Sequence, residues 1–292
     1  MHTIASASNP LIRVFRRALK EGTTRSGWLA VEGPLLIEEA LKVAKPTISE
    51  RSSASSGAGV SPVNEHGQEA RATSVVRSAI ATPSAARKFA GLLARLPGDA
   101  ERVEVSERLF TTLAQTVTPQ GIAALVEVTP PSLDSILKLP DAVLVVACGL
   151  QDPGNLGAIL RAAEAFRVAA VICLKSTVSP SNPKVVRASA GAVFRLPVFA
   201  GLEADRFVDQ LRRHGVRIVA ADPHSPNSLP KADLRGPMAL LVGNEAGGLG
   251  DDLLRNANVR LSIPVAANVD SLNAAMAAGI FLYEAARQRR LG

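Results

Sequence analysis

The apolar and polar positions of the chain follow two different patterns, one before residue 129 and one after residue 140. In the first part, short apolar runs alternate with amphipathic stretches, a pattern typical of a small α/β unit. The spacing predicts, in order, a helix within residues 11–19, a strand over 28–33, a helix over 34–41, a helix over 83–96, a strand over 103–105, a helix over 106–113 and a strand over 122–128.

From residue 141 onwards, apolar strands and helices alternate strongly. Residues 143–147 form a continuous apolar run, which is expected for a strand buried on both faces. The pattern predicts further strands over 169–174, 217–221, 238–242 and 259–263, and helices over 155–166, 183–190, 207–214 and 271–284. Such alternation is typical of an α/β domain with a mainly parallel sheet.

Two segments of different composition separate these parts. Residues 49–73 are rich in Ser, Gly and Ala and carry few bulky apolar side chains, so we expect a flexible insertion there. The Thr-Pro-Pro-Ser sequence that begins at Thr129 marks a linker over 129–140. The sequence therefore predicts a smaller domain over 1–128 and a second domain over 141–292.

The charge balance points to a polyanionic partner. The net charge is +7 and the isoelectric point is about 9.9, and Arg is far more frequent than Lys. Nucleic acid is the simplest such partner. Five cations cluster near the start of the chain, and they fit either an RNA-backbone contact surface or a solvated basic helix face: Arg13, Arg16, Arg17, Lys20 and Arg25.

Several classes of protein are disfavoured. No apolar run reaches the roughly 18 residues that a membrane span needs, and residues 1–17 lack the features of a secretory signal. Cys148 and Cys173 lie in apolar runs and are expected to be buried thiols, which suits a cytoplasmic protein. The four histidines are scattered, so we expect no metal site.

The stretch from Ile263 to Glu284 combines the end of a strand with the start of a long helix. Asp270 or Ser271 is expected to cap this helix, since a short side-chain oxygen accepts the free N–H groups of the first turn. The helix is apolar nearly all round. We therefore expect it to be buried, or to be shared with a partner subunit.

Three segments that follow predicted strands are rich in Gly, Asn and other small residues: the first loop (151–161), the second loop (243–249) and the third loop (263–273). Ligands of parallel α/β sheets bind where the strands deliver their carboxyl ends. These three loops are therefore expected to form the functional site.

In the first loop, Arg161 falls nearly opposite the apolar face of its helix. It is either an exposed arginine paired with Glu164 or an arginine held over a ribose or phosphate. Asn155, taken by itself, is better explained as a helix cap than as a ligand.

In the second loop, a buried strand breaks into Gly243-Asn244-Glu245-Ala246-Gly247-Gly248. Glycines let the backbone approach a ligand closely. Glu245 is either a turn residue or a functional carboxylate. The loop has neither the GxGxxG fingerprint nor the Lys-Ser/Thr of a P-loop, which disfavours a dinucleotide site and a nucleotide phosphate cradle.

Taken together, the three segments resemble the motifs of the SpoU/TrmH branch of the SPOUT RNA methyltransferases. The first motif is similar to Asp152 through Arg161, the second to Gly243-Asn244-Glu245 with Gly248-Leu249, and the third to Ile263-Pro264 followed by Ser271-Leu272-Asn273. Residues 186–192 also resemble the family, and residues 8–122 are similar to its small RNA-binding domain.

The resemblance implies a trefoil-knotted methyltransferase domain, a homodimer and bound S-adenosylmethionine. It places the cofactor against the backbones around Leu241, Gly243, Ile263 and Leu272. It places five polar residues around a ribose 2′-hydroxyl: Asn155, Arg161, Glu245, Ser271 and Asn273. Two positions depart from the commonest family pattern, Val265 in place of Met and Ala267 in place of Gly.

The function that follows from the resemblance is ribose 2′-O-methylation of RNA. Ribosomal RNA is favoured over tRNA because of the accessory domain. A sulfonium methyl group is already electrophilic, so no metal is needed, and Arg161 is expected to stabilise the developing alkoxide rather than to act as the base. The proton acceptor stays open, and Arg187 is a candidate contribution from a partner subunit. The alternatives are an inactive RNA-binding knot protein and a Rossmann-type enzyme acting on a small molecule.

Overall fold

The computed structural model describes residues 1–43, 71–245, 247–269 and 271–289. The chain forms two compact units, Met1–Pro130 and Pro131–Gly292. Residues 49–70 of the predicted insertion lie outside the described residues. The last residues of that predicted segment are part of the first unit, since Ala72 is buried and a strand begins at Thr73.

The first unit contains five strands and five helices among its described residues. In chain order they are β1 (His2–Ile4), α1 (Pro10–Glu21), β2 (Leu29–Glu32), α2 (Pro34–Leu41), β3 (Thr73–Ala81), α3 (Pro83–Lys88), α4 (Ala90–Ala94), β4 (Glu101–Val105), α5 (Glu107–Thr111) and β5 (Ile122–Thr129). The strands form one sheet in the order β1-β4-β3-β5-β2. β4 is parallel to β1 and β3, whereas β5 is antiparallel to β3 and β2.

Side-chain caps fix where the helices of this unit begin. The Asn9 side chain accepts the Leu11 N–H at the start of α1, and Thr82 and Ser106 cap α3 and α5 in the same way. The single helix predicted over 83–96 is wrong, because the chain breaks at Phe89 into α3 and α4. The strand β1 was not predicted, since three residues are too few for a periodicity.

The second unit is a parallel α/β layer structure. Its elements are α6 (Leu133–Leu137), β6 (Val143–Ala147), α7 (Pro153–Ala165), β7 (Ala170–Leu174), α8 (Pro183–Ala188), α9 (Ala192–Arg195), β8 (Val198–Leu202), α10 (Ala204–Arg213), β9 (Arg217–Ala221), β10 (Met238–Val242), α11 (Asp251–Asn256), β11 (Val259–Leu261) and α12 (Ala274–Gln288). The helix α6 lies inside the segment predicted as a linker, where the sequence indicated no helix.

The six strands of the second unit form one sheet in the order β11-β9-β10-β6-β7-β8, and every pair is parallel. The predicted parallel sheet is confirmed. Every residue of β6, β7 and β10 is buried, which explains their continuous apolar sequences. One face of this sheet packs against α7 and α12, and alternate β6 residues such as Val143 and Val145 join that core.

Two of the elements that were not predicted in this unit are largely exposed. The strand β8 lies at an edge of the sheet, and none of its residues is buried. The helix α11 has no buried residue either. Because neither element buries a face, neither has the repeating apolar pattern from which a helix or a strand is predicted. Among the described helices, none is long and apolar enough to cross a membrane.

The segment that joins the last strand to the last helix differs from its prediction at both ends. β11 ends at Leu261 rather than at Ile263, and α12 begins at Ala274 rather than at Ser271. The cap is Asn273, so a cap at Asp270 or Ser271 is wrong. The helix is also not buried all round, because Met276 and Tyr283 are 57% and 58% exposed.

The helices α7 and α8 approach one another unusually closely. A Cβ atom added to Gly157 would lie 2.4 Å from the Cβ of Ala188 and 3.0 Å from the Val185 carbonyl oxygen. Only glycine at this position allows such an approach. This contact sets the position of α7, which carries Asn155 and Arg161, on the sheet.

Candidate active site

Two of the three loops lie directly behind neighbouring strands of the parallel sheet. The first loop follows β6 through residues 148–150, and the second loop follows β10, which pairs with β6 along its whole length. The third loop follows β11 at the same edge, since all strands run in one direction. Hydrogen bonds between side chains of different loops show whether the loops meet.

A hydrogen-bonded network joins all three loops. The Asn155 side-chain Nδ2 donates to the Glu245 Oε1 over 2.5 Å, and the Asn273 Nδ2 donates to the Asn155 Oδ1 over 2.8 Å. These three side chains form the Asn–Asn–Glu network. The motifs that lie far apart in the sequence therefore meet at one point, as predicted.

The direction of the hydrogen bonds in this network is fixed at the start of α12. The Asn273 Oδ1 accepts the N–H groups of Ala275 and Met276 at 3.0 and 3.2 Å, so its amide nitrogen faces Asn155. Asn155 then presents its oxygen to Asn273 and its nitrogen to Glu245. Each amide therefore donates in the direction of the Glu245 carboxylate.

Asn155 is not a helix cap. The cap of α7 is Asp152, whose Oδ1 accepts the Asn155 backbone N–H at 2.8 Å. The signal was available in the sequence, because Asp followed by Pro at the first helical position is a typical helix start. The cap leaves the Asn155 side chain available for Glu245 and Asn273.

The second loop is folded tightly upon itself. The Asn244 N–H donates to the Gly248 carbonyl at 3.1 Å, and the Gly248 N–H donates to the Asn244 carbonyl at 3.0 Å. A Cβ atom on Gly243 would lie 2.2 Å from the Gly248 carbonyl carbon, so this closure requires glycine at position 243. The closed loop presents Glu245 at its exposed end.

Arg161 is exposed, as its helical position predicted, and it forms no hydrogen bond or ion pair with any of the described residues. The alternative pairing with Glu164 is wrong, because the Glu164 carboxylate binds the Arg195 guanidinium through both oxygens. Arg161 lies six positions after Asn155, about 9 Å further along α7. Its guanidinium is available to a ligand.

Ser271 is exposed and is not bonded to the network within the described part of the chain. It precedes the capping residue Asn273 by two positions. The structure thus joins three of the five predicted polar residues directly. Arg161 and Ser271 are exposed, and they are close to the network residues Asn155 and Asn273 in sequence only.

Unpaired main-chain groups border this edge of the sheet. Within the described residues, Gly243, Ile263 and Leu272 form no main-chain hydrogen bonds. Free N–H and C=O groups in a buried or half-buried loop need a partner, which fits a ligand that is recognised by the backbone. Leu241 differs, because it lies inside β10 and is paired with Val146 and Ala220 on the two neighbouring strands.

The thiols of the second unit take no part in this chemistry. Burial raises the pKa of Cys148 to about 12, and burial likewise raises the pKa of Cys173 to about 12. Both thiols therefore keep their protons at neutral pH.

Sequence reasoning missed one polar residue beside the site. Thr177 follows β7, and its hydroxyl binds main-chain groups of Ala147 and Gly149 at the end of β6. The residue belongs to none of the three motifs. Its only signal was a position behind a predicted strand at the carboxyl edge of the sheet.

Comparison with known proteins gives a consistent result. Residues 142–283 match the model of the SpoU rRNA Methylase family. A 23S rRNA (guanosine-2′-O-)-methyltransferase from Ralstonia nicotianae is 33% identical over 199 residues, which cover 66% of this chain and 77% of the relative. The corresponding enzyme from Xylella fastidiosa is 43% identical over 51% of this chain, and the alignment spans 60% of its own length.

Solved structures match over nearly the whole chain. An AdoMet-bound rRNA methyltransferase from Sinorhizobium meliloti superimposes with a TM-score of 0.75 and 27% identity, covering 98% of this chain and 97% of that one. The AdoMet complex of the SpoU methyltransferase AviRb from Streptomyces viridochromogenes gives a TM-score of 0.75 and 26% identity, covering 98% and 100%.

The fold, the family match and these relatives together define a methyltransferase that acts on RNA and uses S-adenosylmethionine. The chain belongs to the SpoU rRNA methylase family.

Proposed function

We propose that this chain transfers a methyl group from S-adenosylmethionine to a ribose 2′-hydroxyl of ribosomal RNA in the cytoplasm. The observation that carries the proposal is the Asn–Asn–Glu network, which joins the three motif loops at one edge of the sheet. The choice of ribosomal RNA is supported by the relatives from Ralstonia nicotianae and Xylella fastidiosa, which are named 23S rRNA (guanosine-2′-O-)-methyltransferases.

Bound S-adenosylmethionine supplies an electrophilic sulfonium methyl group. The protein must then hold the 2′-oxygen in line with that methyl group, and such positioning alone accounts for a large part of a rate enhancement. Asn155, Glu245 and Asn273 are suited to this task because each side chain is held by the next. Ser271, two residues before Asn273, adds a hydroxyl group to the polar set.

Arg161 stabilises the negative charge that develops on the 2′-oxygen. Arginine side chains in proteins stay protonated at neutral pH, so the guanidinium acts as a fixed positive charge rather than as a base. Two observations support this role. Arg161 is exposed without a partner among the described residues, and the one neighbouring carboxylate on its helix, Glu164, is bound by Arg195.

The cofactor is held mainly by backbone groups of the second and third loops. The unpaired main-chain groups of Gly243, Ile263 and Leu272 supply donors and acceptors, and Leu241, whose own main chain is paired within β10, lies two residues before Gly243. In this proposal the C-terminal part of the sheet is threaded as a trefoil knot, which brings the loops around the cofactor.

The active form is a homodimer. The exposed apolar side chains of α12, Met276 and Tyr283, together with Val265 and Val269 of the third loop, support a surface that a second copy covers. Arg187, which is exposed on α8, is the residue that such a partner would contribute to the site. Replacing Met276 or Tyr283 with Asp should yield monomers in sedimentation or light scattering.

The first unit contacts the RNA backbone. Arg13, Lys20 and Arg25 are exposed and form no ion pairs among the described residues, whereas Arg17 is paired with Glu21. Three unpaired cations on one short segment favour a phosphate contact over a merely solvated face.

The test is transfer of radiolabelled methyl from S-adenosylmethionine to total rRNA and to total tRNA, with Arg161→Ala beside the wild type. Arg206→Ala is the matched control, since Arg206 is an exposed helical arginine of α10 without a partner among the described residues. We expect alkali-stable label in rRNA that is lost with Arg161→Ala and kept with Arg206→Ala. Label in tRNA alone would overturn the choice of ribosomal RNA as the substrate. Binding of S-adenosylmethionine without any methyl transfer would indicate an inactive RNA-binding protein.

A further inference from the structure

The loop that follows β7 is bonded to the loop that follows β6. The Thr177 Oγ1 accepts the Gly149 N–H at 3.0 Å and donates to the Ala147 carbonyl at 2.9 Å. The Val178 N–H donates to the Leu150 carbonyl at 2.7 Å. A side-chain hydroxyl thus extends the pairing of β6 and β7 beyond the ends of both strands.

A second side chain reinforces this connection from the opposite direction. The Gln151 Nε2 donates to the Gly149 carbonyl at 3.2 Å and to the Ser176 carbonyl. Ser176 has a backbone φ of +68°, a conformation that costs a residue with a side chain energy and persists only where its surroundings hold it. We call the bonds of Thr177 and Gln151 to these loops the β7 latch.

The β7 latch acts on the turn that leads into the first loop. Gly149 has a φ of +72°, and the chain bends there before Asp152 caps α7. A Cβ atom at Gly149 would lie 3.6 Å from the Asn244 Nδ2, so the same turn also contacts the residue next to Glu245. The turn that the latch holds therefore lies beside both loops whose side chains form the Asn155–Glu245 bond.

We propose that Thr177 is a positioning residue of the methyl-transfer site. Its hydroxyl fixes the turn at Gly149 and so sets where α7 begins, which determines the distance from Asn155 to Glu245. This inference rests on the proposed function, since it assigns Thr177 a role in that reaction. The Thr177 side chain itself does not bind any residue of the Asn–Asn–Glu network.

The direct test compares Thr177→Val, which keeps the shape but removes the hydroxyl, with Thr177→Ser, which keeps the hydroxyl. We expect Thr177→Val to lower kcat at least about 10-fold, because small misplacements of reacting groups cost rate steeply. The KM for RNA and the Kd for S-adenosylmethionine should stay within about twofold of the wild type. Thr177→Ser should restore kcat to within about twofold.

Ser179→Ala is the matched control in the same segment. The Ser179 hydroxyl is bonded to Ser181 and lies outside the latch, so this variant should keep the wild-type kcat. Wild-type kcat in Thr177→Val would overturn the proposal. A loss shared by Thr177→Val and Thr177→Ser would overturn it as well, because the hydroxyl would then not be the cause.

A second measurement does not depend on activity. Hydrogen exchange of peptides that cover residues 148–156 should speed up in Thr177→Val, because the Gly149 N–H loses its acceptor, while peptides from α10 stay unchanged. Unchanged exchange at 148–156, or faster exchange over the whole unit, would overturn the latch. If the wild type transfers no methyl group to RNA, the proposed function fails, and the exchange result alone decides whether the latch exists.

Discussion

The side-chain amide of Asn155 donates a 2.5 Å hydrogen bond to the carboxylate of Glu245, a residue 90 positions further along the chain. The bond needs a donor on one side and an acceptor on the other. Because the Asn155 oxygen is already bound by Asn273, the amide cannot turn round without losing both contacts. The identity of residue 155 is therefore specified chemically rather than by shape.

Asn155→Asp should lower the rate of methyl transfer by about 100-fold or more at neutral pH, because it sets a carboxylate against that of Glu245. Part of the activity should return as the pH is lowered, when one of the two carboxylates takes up a proton. Asn155→Ala removes the donor without adding a charge, so its activity should show no such recovery. Equal pH profiles for the two variants would contradict this account of the bond.

Asn273 caps α12 with its oxygen and binds Asn155 with its nitrogen, and two substitutions separate these roles. Asn273→Asp keeps a capping oxygen, so its free energy of unfolding should stay close to that of the wild type. It should nevertheless lose transfer activity. Asn273→Ala removes the cap as well and should lower the free energy of unfolding by about 1 kcal/mol. Urea denaturation of the two variants measures the difference, and equal unfolding midpoints would argue against the cap.

Gly157→Ala should destabilise the second unit by about 1–3 kcal/mol, because the added methyl group would overlap Ala188. It should also reduce transfer, since α7 must move away from α8. The control is Gly91→Ala in α4, where nothing lies within 4 Å and the change should be neutral or stabilising by up to about 1 kcal/mol. Thermal unfolding of both variants is the measurement.

The two thiols should resist alkylation in the native protein. Their pKa values are raised by burial from 9.0 to about 12, so the thiolate at pH 8.5 is about 1000-fold scarcer than for an exposed thiol. Between pH 9 and 12 the folded state binds more protons than the unfolded state, so stability should fall as the pH rises through that window. Iodoacetamide labelling with and without urea, and unfolding curves against pH, test the two parts. Rapid labelling of the folded protein would contradict them.

The sequence predicted well those elements whose side chains carry a repeating burial pattern. The strands over 143–147, 217–221 and 238–242 have the predicted bounds, because each is an apolar run between polar turns. The edge strand β8 could not be predicted in this way, since its residues are partly or fully exposed.

The site was predicted through its motifs and only partly through its geometry. Asn155 and Glu245 were expected to share one environment, and they do. The role of Asn273 as the cap of α12, and that of Asp152 at α7, were assigned to neighbouring residues instead. The position of Thr177 behind a predicted strand did not reveal its role, since that role depends on how two loop ends meet in space.

The two hydrogen bonds of the Asn–Asn–Glu network close chain segments of 90 and 118 positions. Contacts over such separations form late in folding, because the entropy of closing long loops is lost before the contacts compensate for it. In the proposed mechanism, methyl transfer becomes possible only after β6, β10 and the start of α12 have come together. In the proposed function, methyl-transfer activity therefore serves as a chemical reporter that the second unit is completely assembled.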